Sequence, residues 1–489
     1  MFEIVKKVKK LMPKFDKSIY SSIRQVATGQ EHIRVAVIGS KESGKTVFLT
    51  ALTNHLRNHD KELLPLDGWS AFNLKYDNEQ MGKIPLFLYE KARIDLSNGE
   101  WPDNTTSLSA VRLKLRLEKK KAEKKRREII LELLDLPGER VADLSMVGRS
   151  FCNWCEWMEA KFCGVDGYSP HYDEYVKRVK NAVDAREILR AYKDCVVKQY
   201  DDGLLMITPS ILKLDINGDY RVGKRKGEFR KNIESGCVGV SEDSQFAPLP
   251  SAFFKKPSAG HRSIVKAFKR AYEEYKSRIV DPIAEWLSHV DKAVYLVDVL
   301  ALLREGPEAY NAELSFAEQA LRIFRRSDSA NRLVRGVQRF MGAFVRTHAD
   351  GVYVVATKAD TVVGFINQSR MRNLALKMMK PTLSSLGLSE DQWEVLSCAS
   401  VLTTDEFKEE KALRARVEVS RDESGNPIVG ETQYKVNDVP LDWPDSSDWK
   451  RGDKKYDFRP TFPKFDKKSD RPPPQLGLDK LIVKLLSLD

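Results

Sequence analysis

Gly39-Ser40-Lys41-Glu42-Ser43-Gly44-Lys45-Thr46 stands directly after the apolar run Val35–Ile38 and directly before Val47–Leu56, a stretch that reads as a helix. Strand, glycine-bounded loop and helix in that order predict an α/β fold whose first βα turn cradles phosphate. The residue types follow from the chemistry. Glycines let successive backbone N–H groups curl around phosphate oxygens, the helix N-terminus behind them adds a favourable dipole, Lys45 reaches the outer phosphates and the Thr46 hydroxyl ligates Mg²⁺. The whole stretch from Gly39 to Val47 is expected to line a nucleotide. Which nucleotide is left open, since ATPases, GTPases and small kinases share such a loop.

Shorter matches at the ends of later strands narrow the choice. Asp135-Leu136-Pro137-Gly138 closes the run Ile129–Leu134. A strand-end carboxylate there holds Mg²⁺ through water and the Gly138 N–H meets a γ-phosphate, a spacing that favours a GTPase-type switch, although Asp-x-Pro-Gly is also an ordinary turn. Thr357-Lys358-Ala359-Asp360 ends the run Val352–Ala356. A carboxylate at Asp360 accepts both the ring N–H and the exocyclic amine of guanine, a donor pair that adenine does not present on that edge, while Lys358 lays its stem on one face of the base. Thr357 stands where the usual guanine-reading motif has Asn. Ser397-Cys398-Ala399-Ser400 closes Trp393–Leu396, and a backbone N–H of Cys398 or Ala399 is expected at the guanine O6. The motifs all fall where α/β sheets bind ligands, outside the carboxyl ends of the strands. Thr105 and Thr106 precede the alternating, strand-like run Val111–Leu117. Either is a candidate switch threonine completing the Mg²⁺ shell.

The segments Gly39–Leu56, Trp101–Glu118, Leu134–Glu139, Tyr275–Tyr310, Val354–Asp360 and Pro472–Leu486 together resemble the YcjX-like family of bacterial GTPases, from about residue 31 to the C-terminus. The resemblance implies a Ras-like P-loop core with a mostly parallel sheet containing one antiparallel strand, inserted helical material, GTP/GDP and Mg²⁺ binding, and a link to bacterial stress responses with an undefined partner. Glu139 follows the switch glycine where many Ras-like enzymes carry the water-orienting Gln. With Lys45 and Gly138 it completes the expected catalytic set, as a base or as a partner of Arg140, and intrinsic hydrolysis is expected to be slow. An ATPase and a nucleotide-stabilised scaffold that does not hydrolyse are the alternatives.

Composition bounds the rest. With 489 residues, 42% of them hydrophobic, two or three domains are expected. The lysine-rich N-terminus lacks the apolar core of a secretory signal, and no run of eighteen apolar residues occurs, so a cytoplasmic protein is expected. Six cysteines fit a reducing compartment, and Cys152 and Cys155 read as core residues of a helix rather than metal ligands. The net charge of +12 is local. Residues 1–24 carry seven Lys and Arg against Glu3 and Asp16, and residues 112–128 carry ten against Glu118, Glu123 and Glu128. The remainder is nearly neutral, which argues against a nucleic-acid surface. The first patch lies on an amphipathic pattern over 1–30 that either docks on its own domain or lies peripherally at the inner face of the membrane. The second is expected at a hairpin tip.

Motif spacing sets the expected organisation: a GTPase core over 31–144 and 290–403 with helices added at about 56–100, a helical insert over 145–289, a polar Pro-rich extension over 404–475 and a closing helix over 476–489. Because the insert follows the second switch directly, a nucleotide-dependent change at Asp135–Gly138 is expected to reach it.

Overall fold

The computed structural model turns each apolar run that precedes a motif into a strand. It describes residues 31–40, 42–66, 68–76, 85–103, 109–119, 126–136, 142–163, 170–201, 245–255, 257, 259–287, 290–321, 324, 351–422, 427–445, 448–449, 454–464 and 471–488. These fall into two units, one within Met1–Leu136, Ser288–Pro307 and Phe324–Asp489, the other within Pro137–Leu287 and Glu308–Ile323. The candidate switch residues Thr105, Thr106, Gly138 and Glu139, the loop residue Lys41, the stretch 1–30 and the hairpin tip 120–125 lie outside the described residues.

In the first unit, Glu31–Gly39 (β1) is buried without alternation from Val35 to Gly39, as a parallel strand covered on both faces must be. Lys45–Arg57 (α1) follows the glycine loop. Trp69–Tyr76 (β2) and Tyr89–Ser97 (α2) come next. Ser109–Lys119 (β3) and Arg126–Asp135 (β4) form an antiparallel pair. In β3, Val111, Leu113, Leu115 and Leu117 are buried while Arg112, Lys114 and Arg116 are half-buried, the period of a strand with one apolar face. Lys292–Val297 (β5), Val299–Glu305 (α3), Gly351–Ala356 (β6), Gly364–Ser385 (α4) and Trp393–Ser397 (β7) complete the layers.

The seven strands run in the order β2-β3-β4-β1-β5-β6-β7. β4, β1, β5, β6 and β7 pair in parallel, and β3 runs against both of its neighbours. This is the mostly parallel sheet with one antiparallel strand that the resemblance implies. The stretch 56–100 departs from the helical expectation by contributing the edge strand β2. Its Trp69, Phe72 and Tyr76 are strong strand formers, and the edge of β3 offers them a ladder.

The closing helix, Leu478–Leu485 (α5 in this unit), buries Leu478, Leu481, Ile482 and Leu485, one stripe at helical spacing against the sheet core. Each such side chain contributes roughly 1.5–3 kcal/mol of burial. The buried Lys292 ammonium donates to the Leu485 carbonyl at 2.9 Å and to Ser487 Oγ at 2.7 Å, so the carbonyls left over at the end of α5 are met by a cation.

The stretch 404–475, read from sequence as a polar extension, holds a second sheet instead. Thr404–Phe407 (β8), Ala412–Arg421 (β9), Pro427–Lys435 (β10) and Thr461–Phe462 (β11) pair antiparallel, with β9 joining the other three. The alternation Leu413-Arg414-Ala415-Arg416-Val417 places Leu413, Ala415 and Val417 inside. Abundant Pro, Asp and Lys around it hid that period.

The second unit is helical: Phe151–Cys163, Pro170–Asn181, Ala185–Asp201 and Ala259–Tyr275 are its longer elements, with most of Pro307–Leu321. Its core is aromatic. The Trp154 ring lies 5.3 Å from that of Tyr272 and 5.7 Å from that of Phe246, within the range where such pairs add to burial. Cys155 is buried there, its Sγ accepting from Leu249 N at 3.3 Å, and burial pushes its thiol well above the usual range. No described helix is long and apolar enough to cross a membrane.

Candidate functional site

The phosphate loop is built within eight consecutive residues. A Cβ on Gly39 would come within 2.5 Å of Ser43 Oγ and 2.6 Å of the Leu296 carbonyl of β5, so only glycine fits where the loop leaves β1. Gly44, with φ of 92°, turns the chain into α1 from the left-handed region, and Glu42 also sits there with φ of 64°. Ser43 Oγ donates to the Ser40 carbonyl at 2.8 Å. The Lys45 ammonium donates to the carbonyls of Gly39 at 2.7 Å and Ser40 at 2.6 Å, which holds a cation over the loop at the N-terminus of α1. Thr46 and Val47 occupy the first turn of that helix. Asp135 is wholly buried at the end of β4, in register with Val37 of β1, so the loop and this carboxylate emerge from adjacent parallel strands. Thr46 and Asp135 offer the hard oxygen donors that suit Mg²⁺.

The end expected from sequence to read the base draws on distant parts of the chain. Thr357 N and Oγ1 both donate to the Val297 carbonyl, at 2.9 and 3.3 Å, tying the end of β6 to the end of β5. Lys358 takes φ of 60°, and its ammonium lies 2.6 Å from Asp298 Oδ2. The other oxygen of Asp298 accepts from Ala301 N at 3.0 Å and caps α3. Asp360 is 8% exposed. Its Oδ2 accepts from Thr403 N and from Thr403 Oγ1, both at 2.7 Å, while its carbonyl accepts from Thr404 Oγ1 at 2.6 Å. Burial pushes the Asp360 carboxyl above the ordinary carboxylate range, and the two Thr403 donors oppose that shift.

Two donors expected at the base are already engaged. The Cys398 N–H donates to the Ala356 carbonyl at 2.9 Å, and the Ala399 N–H to the Leu476 carbonyl at 2.8 Å, in a reciprocal bridge that docks the segment before α5. Each of these N–H groups, named from sequence as a donor to a guanine O6, here meets a carbonyl of the chain itself, one from β6 and one from the segment before α5. Ser400 and Val401, half-buried, follow directly. Burial pushes the Cys398 thiol up to about 12, which keeps it protonated and unreactive.

Lys45, Thr46 and Asp135 thus gather at the ends of β1 and β4, and Thr357, Lys358 and Asp360 at the ends of β5 to β7. Sequence reasoning missed Asp298 and Thr403. Asp298 had a readable signal, a carboxylate at the end of the run Ala293–Val297. Thr403, forty-three positions from Asp360, had none. A cavity of about 360 Å³ lies between α1, α2 and the 401–405 and 463–474 stretches, lined by Thr50, Asn54, Thr404 and Lys464 among others. None of the residues expected to touch a nucleotide lines it.

Comparison with known proteins agrees with this architecture. The model of the YcjX-like family (DUF463) matches residues 33–219 and 241–488. A protein of Escherichia coli K12 named Ras-like GTPase YcjX is 26% identical, over 93% of this chain and 95% of its own length. A protein of the same name from Shewanella oneidensis MR-1 is 21% identical, over 77% of this chain and 78% of its own. With the phosphate loop, the strand order and nearly the whole length accounted for, the chain belongs to the YcjX-like family.

Proposed function

We propose that this chain binds guanine nucleotide, hydrolyses GTP to GDP slowly and works as a nucleotide-dependent switch in the bacterial cytoplasm, serving a stress response as the family resemblance implies. The observation that carries guanine over adenine is the Asp360 carboxylate, buried at the end of β6 and oriented by two donors from Thr403. An ionised carboxyl offers about four acceptor sites. Both Thr403 donors fall on Oδ2, so acceptor capacity remains on the carboxylate for the paired N–H groups of guanine. Two relatives that carry the name Ras-like GTPase support the same class.

In this reading the Lys45 ammonium turns from the Gly39 and Ser40 carbonyls to the outer phosphates and offsets the charge that develops during in-line attack by water. Loop N–H groups and the start of α1 hold the phosphates. Thr46, Asp135 and one of Thr105 and Thr106 hold Mg²⁺, which when bound neutralises charge on the β- and γ-phosphate oxygens. Gly138 fixes the γ-phosphate and Glu139 orients water. Because the second unit begins at Pro137, a change at Asp135–Gly138 passes along the chain into it, and an unidentified protein partner reads the state there.

Competition for a fluorescent GDP tests the reading: GTP and GDP should displace it at least about a hundredfold better than ATP, as a buried acceptor pair rejects a base lacking the donors. Turnover of purified protein should stay below about 1 per second. Equal displacement by ATP would sink the guanine assignment, and turnover at kinase-like rates would sink the slow switch.

A further inference from the structure

The C-terminal sheet reaches the base-reading carboxylate through one hydroxyl. Thr461 of β11 is 7% exposed, and its Oγ1 lies 2.8 Å from Thr403 Oγ1. Thr403 Oγ1 has a single proton, and Asp360 Oδ2, an acceptor at 2.7 Å, takes it. The hydroxyl of Thr461 must therefore be the donor between the two threonines. A directed chain results, Thr461 to Thr403 to Asp360, in which each donation strengthens the next.

β11 itself is pinned. It pairs through Thr461 and Phe462 with Val417 and Arg416 of β9. The Thr461 carbonyl accepts from the Trp101 indole at 2.8 Å, and Arg416 donates to the carbonyls of Gly99 and Pro463. Gly99 takes φ of 73°, in the left-handed region, where its carbonyl meets Arg416. So Trp101, four residues before Thr105, and, through Thr403, the carboxylate at Asp360 are both bonded to Thr461 of the same two-residue strand.

We propose that Thr461 is a positioning residue for base recognition: its hydroxyl fixes the proton and rotamer of Thr403, and through it the plane of the Asp360 carboxylate, so that both donors of guanine are met together. The proposal rests on Asp360 as the guanine reader. It gives the sheet over 404–475 a part in nucleotide specificity.

The test compares GDP with inosine diphosphate, which lacks the exocyclic amine. Thr461→Val removes the donor and keeps the shape of the side chain, and Thr461→Ser keeps the donor. Thr461→Val should weaken GDP binding about fivefold, the scale of one lost hydrogen bond, and weaken inosine diphosphate less, so that discrimination falls. Thr461→Ser should restore both. A purely structural lesion would weaken the two nucleotides alike and not be rescued by serine. If Thr461→Val melts early, Thr403→Val against Thr403→Ser applies the same comparison to the next hydroxyl. Asp360→Asn separates the two ideas. If it loses GDP while Thr461→Val keeps full discrimination, the positioning role is overturned alone. If Asp360→Asn keeps GDP at unchanged affinity, the guanine reading and the proposal fall together.

Discussion

The two ends of the proposed nucleotide site are made in opposite ways. The phosphate end comes from one stretch: the bonds that shape it, Lys45 to Gly39 and Ser40 and Ser43 to Ser40, span at most six positions. At the base end, Asp360 is held from Thr403, Lys358 from Asp298, and Thr403 from Thr461, over separations of 43 to 60 positions. Local geometry can be dictated by a few residues whatever lies around them. A site assembled across strands exists only once the sheet and its C-terminal additions are in place, so it ties specificity to the rest of the fold.

If that division is sound, lesions at the two ends should separate. The largest effect belongs to Lys45→Ala, which should weaken GDP and GTP binding about a hundredfold or more, the scale of a charged partner removed from a polyanion, with the preference among bases unchanged. Equilibrium titration with guanine, inosine and adenine nucleotides reads both quantities. A changed base preference would break the separation.

Gly39→Ala comes next. The added Cβ meets the backbone carbonyl of Leu296 at 2.6 Å, so the loop or β5 must shift, at about 1–3 kcal/mol of stability. Denaturant unfolding should show that loss and titration should show weakened phosphate affinity. A neutral result would mean that the loop is less tightly defined than its geometry states.

At the base end, acid should act selectively. The Asp360 carboxyl is raised above its unfolded value, so its protonated form is favoured by folding, and the stability this contributes is lost as pH rises through the folded value. In the proposed reading, guanine requires the ionised form of Asp360. Nucleotide affinity should therefore begin to fall with acid above the ordinary carboxylate range, while ligand-free Asp360→Asn should be more heat-stable than the parent at neutral pH. Thermal scans without nucleotide check the sign.

The smallest effect is expected from Asp298→Ala. Releasing the Lys358 ammonium, which is 42% exposed in its side chain, should weaken guanine nucleotides by roughly two- to fivefold, the range of a partly solvated pair. Binding unchanged within error would leave Asp298 only its role as the cap of α3.

How much of this could be read beforehand follows the same division. Gly39 to Thr46 declared the phosphate loop because glycine spacing, lysine and threonine are all local requirements. That strands precede the motifs was also readable, because Val35–Ile38, Ile129–Leu134, Ala293–Val297 and Val352–Ala356 are apolar runs, whereas the mostly parallel pairing was implied by the family resemblance. Asp360 could be named, but not what holds it, since nothing near Thr403 or Thr461 marks them as neighbours of a carboxylate. The partner of the Ala399 N–H was hidden for the same reason, since Leu476 lies far along the chain. The sheet over 404–475 escaped notice because its alternation around Ala415 is short and set among proline and charge.

The central claim is that Asp360 makes the site a guanine site, and exchange of the base tests it most directly. Dissociation constants of GDP and xanthosine diphosphate are measured for the parent and for Asp360→Asn. An amide presents a donor where the carboxylate accepted, so the variant should lose GDP by a hundredfold or more and gain xanthosine diphosphate, about the 10²–10⁵ contrast seen when a buried polar match is made or broken. Retention of GDP by the variant, with no gain for the xanthine nucleotide, would contradict the account.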